Sequence, residues 1–234
     1  MTYPEPDLRL DGLKDHTGHF SRTIGLLLGD LTLLAEHHSP SGDSFHVLHD
    51  RSATWGIPGA PQIVALHLQR DAKAGTFRYE SKELPLAPMA QSWLVARGCP
   101  PEAIALNPDL GPEPADDTTR ALNKRLVNDG DHFACGYSYT RDDPDNYVVV
   151  VALRSMDEKA AVPYRVLVEE IDSQAEVVTL REGGFATVHD ALQWCDDRLG
   201  GTAGPLPPVR PAASPARPSA LPAAPLPPRS GRAR

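Results

Sequence analysis

Residues 131–199 constrain this chain more than any other stretch, because they alternate like a sheet and then switch to a helical period. Across residues 132–140, Phe133, Cys135, Tyr137 and Tyr139 fall on one face, with His132, Ala134, Gly136 and Ser138 on the other. That period of two is what a half-buried strand requires. Residues 141–146 read as a turn, since Pro144 fixes its own φ and the neighbouring Asp and Asn side chains bond nearby backbone. Residues 147–153 run Tyr-Val-Val-Val-Val-Ala-Leu, apolar on both faces, which suits a central strand covered on both sides. Residues 164–171 and 176–182 supply two more strands, each with charge on one face. Gly183 and Gly184 read as the stop of the last one. Thr187 is placed to cap a helix through the Asp190 N–H. Val188, Ala191, Leu192, Cys195 and Leu199 form its apolar stripe, and Gly200-Gly201 suits its left-handed end. A sheet and a stripe cover one another, so the helix is expected across the sheet.

The ending at residues 181–194 carries the pattern Phe185-Ala-Thr187-Val-His-Asp-Ala191. It resembles the arm-type DNA-binding domains of tyrosine recombinases, which place a Phe-x-Thr-x-x-x-Ala turn before a covering helix. The likeness spans about thirty residues and implies sheet-on-helix packing. Those domains read DNA with a basic sheet; here the strands carry Glu169, Glu170, Asp172, Glu176 and Glu182, so the DNA-binding function is not carried over.

The first half shows the same order of helix, strands and helix. Phe20, Ile24, Leu27, Leu28, Leu31 and Leu34 have helical spacing, which predicts about four turns. Residues 45–50, 62–70 and 76–83 read as strands and 87–96 as a helix stopped by Gly98. Pro, Gly and Asp then dominate residues 107–117, a linker composition, and 118–127 reads as helical. The expectation is an α+β protein of antiparallel meanders, each covered by helices, with an internal duplication raised by the shared order. Its parts are a disordered N-terminus (1–15), two α+β domains (16–106 and 118–201) joined by the linker, and a disordered Pro/Ala/Arg tail (202–234). That tail holds ten of the chain's 24 prolines, too little apolar surface to offset backbone ordering.

Charge narrows the function. Residues 202–234 contain five arginines and no acid, leaving 18 basic and 31 acidic residues before them, a net of −13. So acidic a body repels phosphate at long range and disfavours nucleic acid as a partner. Cys99, Cys135 and Cys195 are odd in number and far apart, which predicts reduced thiols in a cytoplasmic protein. No basic segment leading into an apolar core opens the chain, and Asp30 interrupts its most hydrophobic run, so neither a secretory signal nor a membrane span is expected. The Ala, Arg, Pro and Gly bias points to a GC-rich bacterial genome.

No catalytic signature, phosphate-binding glycine loop or EF-hand spacing is present, and no cofactor or metal ligand set is assigned. His37, His38, His46, His49 and Asp50 cluster in sequence, but on a strand His46 and His49 point to opposite faces. The Gly/Pro-rich loop around Trp55 either covers a core edge or offers a stacking surface. Pro205-Leu-Pro-Pro208-Val-Arg210 fits a Pro-x-x-Pro-x-Arg ligand pattern. The resulting expectation is a non-catalytic binding or regulatory module that contacts a protein partner through Trp55, Phe133, Tyr137 and Tyr139, with Pro205, Pro208 and Arg210 as tail contacts. A nucleic-acid accessory role for the C-terminal module and tail, and a metal-dependent enzyme at His37 to His49, are the alternatives.

Overall fold

The structure, a computed structural model, describes residues 4–129, 132–143 and 146–209. Its first half contains β1 (Lys14–Asp15), α1 (Ile24–Leu27), β2 (Leu31–His38), β3 (Asp43–Asp50), α2 (Ala53–Gly56), β4 (Ile63–Asp71), β5 (Thr76–Leu84) and α3 (Ala87–Val95). Its second contains β6 (Glu113–Pro114), α4 (Asp117–Asn128), β7 (Phe133–Asp143), β8 (Asn146–Ser155), β9 (Tyr164–Asp172), β10 (Val177–Phe185) and α5 (Val188–Gly200). The strand order repeats: β1-β5-β4-β3-β2 in one sheet and β6-β10-β9-β8-β7 in the other. Each sheet is a four-stranded antiparallel meander with a two-residue strand added parallel to its last member. The shared order seen in the sequence is therefore a shared topology, and the fold is α+β.

Strand alternation sets the layers. Ile63 and Ala65 of β4 face α3, while Val64, Leu66 and Leu68 face α1 and the N-terminal segment. In the second sheet Val149, Val151 and Leu153 face α4, and Val148, Val150 and Ala152 face α5. Helices α3 and α4 pack together between the sheets, where fully buried Leu86 joins the second half's core and Met89 touches both. Each such buried aliphatic side chain contributes about 1.5–3 kcal/mol. The two halves thus share one helical layer. Among the described residues no helix is long and apolar enough to cross a membrane.

Several expectations change. The four-turn helix over 20–34 is instead two 3-10 turns and one α-turn, ending at Asp30, after which Leu31–His38 forms edge strand β2. Its residues are apolar toward both sheet faces, so helical and strand spacing coincide there. Residues 4–15 are packed: Leu8 is buried, Pro4 O accepts from Leu33 N–H at 3.0 Å, and β1 pairs with β5. The linker supplies β6 and, at Asp116, the N-cap of α4. β10 runs through Gly183 and Gly184 rather than stopping there. Residues 202–209 of the expected disordered tail lie against the protein; Arg210 and the rest fall outside the described residues, as do Pro144 and Asp145.

Candidate functional site

The histidines divide across the first sheet, as strand parity demands. On its outer face His46 and Ser44 are fully buried, with Ser44 Oγ 3.0 Å from His46 Nε2 and His46 Nδ1 3.7 Å from Glu36 Oε2. His38 Nε2 also meets Glu36 Oε2, at 3.2 Å. A serine, a histidine and a carboxylate in line suggest nucleophile, base and orienter. Their surroundings give a different role. Arg70 donates to Ser44 Oγ at 2.9 Å, so one lone pair of that oxygen is committed to a guanidinium. Burial holds the His46 pKa down at about 3, and the imidazole stays neutral. Arg70 also donates to the carbonyls of Leu8, Arg9 and Gly42. The cluster clasps the N-terminal segment to the sheet and presents no hydroxyl to a substrate.

On the inner face His67 stacks on Phe45 at 4.5 Å and bonds Asp43 at 3.0 Å, with His37 on the other side of the Phe45 ring. His49 shares that face, beside Gln62, its pKa lowered mainly by burial. Among the described residues no group of three or more His, Cys, Asp or Glu side chains is arranged to hold a metal ion.

The loop between β3 and β4 is pinned at both ends. Buried Asp50 accepts from the Ser52 N–H and hydroxyl at 2.8 and 2.7 Å, and Arg51 donates to Gly29 O at 2.9 Å. At the far end Gly59 O accepts from Thr140 N–H at 3.1 Å, forming a single antiparallel bridge to β7 of the other half. Gly59 is at φ +83°, and a Cβ there would lie 2.4 Å from the Tyr139 ring, so only glycine fits. Buried Gln62 then donates to Asp142 at 2.6 Å. Between these anchors α2 makes one turn and sends Trp55 and Ile57 outward, 75% and 69% exposed. Trp55 therefore covers no core edge.

Phe133, Tyr137 and Tyr139 do not share a face. A β-bulge between Cys135 and Tyr137 inserts Gly136 opposite nothing, and one extra residue reverses the alternation. Phe133 packs inward beneath the Arg165 guanidinium, 4.7 Å from its ring, while Tyr137 and Tyr139 join the outer core under α5. Only Tyr139 reaches the Trp55 loop, through Gly59. Ala134, Cys135 and Gly136 are exposed on this edge strand.

Residues 204–209 form a strap across the C-terminal end of β10. Trp194 Nε1 donates to Gly204 O at 3.0 Å and Gly184 N–H to Pro207 O at 3.1 Å. Leu206 packs in the core under α5, and a Cβ on Gly183 would come within 2.6 Å of it. Pro205 and Pro208 are exposed, whereas Leu206, Pro207 and Val209 are half-buried. The glycine pair was legible as punctuation; its use as a seat was not.

Other reactive groups are committed or muted. Burial pushes the Cys99 and Cys195 thiols up to about 11 and 12 and raises that of Cys135, which leaves little nucleophilic thiolate at neutral pH. Glu169, pointing inward, is raised by burial to about 7, and nearby Tyr147 is also raised, by burial first and then by the Glu169 and Asp142 charges. Glu170, its sequence neighbour, faces outward and pairs with Arg198. Arg125 and Arg165 both meet Glu182, at 3.0 and 2.9 Å, and Arg181 meets Asp116 at 2.6 Å. These arginines of the C-terminal module each hold an acid of that module. No protein-family model, curated protein or solved structure matches the chain.

Proposed function

We propose that this chain is a non-catalytic binding or regulatory module that acts through protein–protein contacts, with the Trp55 loop as its contact point. The observation that carries this reading is the exposure of Trp55 and Ile57 on a loop anchored to both halves. Scattered exposed apolar residues need no explanation. Two large ones on a loop tied by a carboxylate turn, a glycine-only backbone bridge and a buried amide are different, because their conformational cost of binding is already met by the fold. Tryptophan is also the residue most often found at the centre of binding energy in interfaces. The committed polar clusters and muted thiols support a role without covalent chemistry. An exposed cysteine beside two buried, unpaired ones fits a cytoplasmic setting.

The test is a quantitative pull-down from extract of the native host, comparing the intact chain with Trp55→Ser/Ile57→Ser. Both side chains are solvent-facing, so thermal unfolding is expected to match within about 0.5 kcal/mol. A partner held by the intact chain in stoichiometric amount should fall by roughly 30-fold or more in the double variant, the equivalent of about 2 kcal/mol for a hot-spot pair. Equal capture of that partner by both chains would remove the loop from the interface.

A further inference from the structure

The strap over β10 has a twin. Pro205-Leu206-Pro207-Pro208 is repeated, residue for residue, as Pro225-Leu226-Pro227-Pro228. The first copy is seated: Leu206 enters the core beside Phe185 and Trp194, Pro207 O takes the Gly184 N–H, and the preceding carbonyl takes the Trp194 indole proton. These contacts ask little of the ligand. Proline has no N–H, so a proline-rich segment offers mainly carbonyls, and the seat supplies two donors to meet them. With three residues per turn, such a segment turns one side chain in three toward the same surface. Here Pro205 and Pro208 are exposed, Leu206, Pro207 and Val209 are half-buried, and Leu206 is the side chain that enters the core.

We infer that the seat formed by Gly183, Gly184, Phe185 and Trp194 is a binding site for Pro-Leu-Pro-Pro segments, and that Pro225–Pro228 of the same chain is its second, intramolecular ligand. The second copy keeps Leu226 for the core position and the Pro227 carbonyl for Gly184. Ala224 supplies the carbonyl for Trp194, and only the Val209 position differs, occupied there by Arg229. Sixteen residues lie between Pro208 and Pro225, and a flexible chain of that length spans roughly 20–24 Å, enough to double back. The first copy follows the Gly201 helix cap by four residues and the second by 24. The longer closure disfavours the second copy by about 15-fold, so it occupies the seat chiefly when the first is released.

The Trp194 indole N–H resonance of the full chain reads the seat directly, assigned by its loss in Trp194→Phe. The intact chain and Leu226→Ala should give the same docked signal. Leu206→Ala should keep a docked, slightly shifted signal, and Leu206→Ala/Leu226→Ala should give that of a solvated indole. Adding a synthetic hexapeptide with the sequence of residues 224–229 to the double variant should restore the docked signal, and a scrambled hexapeptide should not. If Leu206→Ala does not fold, Leu206→Val takes its place in the same series. Identical solvated signals from the single and double variants, or a double variant blind to the hexapeptide, would overturn the inference. A docked signal in Leu206→Ala that fades on about tenfold dilution would assign the ligand to a second molecule instead, because an intramolecular contact does not depend on concentration.

Discussion

The two halves share a strand order and differ in what covers it. The outer face of the first sheet is closed by residues 4–30, whose helices are short turns, and a polar clasp of Arg70, Ser44 and His46 holds them down. The second sheet's outer face is closed by the thirteen-residue α5, capped at Thr187 and ended by Gly201 at φ +76°, with the strap beyond it. Their edges differ as well. β2 is blunted by Pro4 O and by the Asn107 N–H on Leu34 O, whereas β7 receives, among the described residues, one backbone bridge, from Gly59. One topology therefore tolerates two kinds of cover, one built on hydrogen bonds to carbonyls and one on an apolar stripe. It is to the β7 edge that the first half delivers the Trp55 loop, through Gly59 on Thr140 and Gln62 on Asp142.

That contrast can be broken from either side. The largest effect is expected at Arg70→Ala. It removes charge-assisted bonds to three carbonyls and a buried hydroxyl and should cost about 3 kcal/mol, with the early loss of protection confined to residues 4–30 and the first sheet in hydrogen exchange. A uniform loss across both halves would show that the clasp is not local. Next comes Glu169→Gln. The folded pKa of Glu169, about 7, lies above its ordinary 4.5, so the fold holds a proton that the unfolded chain releases. Its contribution is fully present below about pH 4.5 and is lost as pH rises through 7. The glutamine variant should lack that decline and gain up to about 3 kcal/mol over the parent at pH 8. Chemical denaturation at pH 4.5 and 8 measures the difference, and parallel curves for the two chains would contradict it. The smallest effect is at the α5 cap: Thr187 Oγ accepts from Asp190 N–H at 3.1 Å, and Thr187→Ala should cost about 1 kcal/mol, read as a lowered midpoint with α5 fraying first.

Much of this was legible in residue pattern. The runs that became β3, β4, β5, α3 and β9 to α5 were readable by period, β8 by its unbroken apolar run, and Glu169 and Glu170 face apart as neighbours on a strand must. Where two periods fit, pattern failed: Leu31 and Leu34 continue the helical spacing of Phe20 to Leu28 but lie in a strand buried on both sides. Gly136 was invisible as a bulge, since one inserted residue leaves composition unchanged while turning Phe133 away from Tyr137 and Tyr139. Proline content misread residues 202–209, because one core leucine and two accepted hydrogen bonds suffice to seat a short segment when a glycine pair leaves room. Of the candidate contacts, Trp55 stands out in solvent rather than covering a core edge, the other reading its loop allowed, and Tyr139 supports that loop.

The reading of the Trp55 loop as a presented surface rests on its anchor at Gly59, and amide hydrogen exchange along β7 tests that anchor most directly. Thr140 N–H points off the open edge to Gly59 O, and strand alternation sends the Ser138 N–H the same way, with no strand beyond it among the described residues. The Thr140 amide should exchange many-fold more slowly than that of Ser138, and Gly59→Ala should abolish the difference. Equal, fast exchange at both positions in the parent chain would mean that the loop is not held, and the contact point proposed for it would fail.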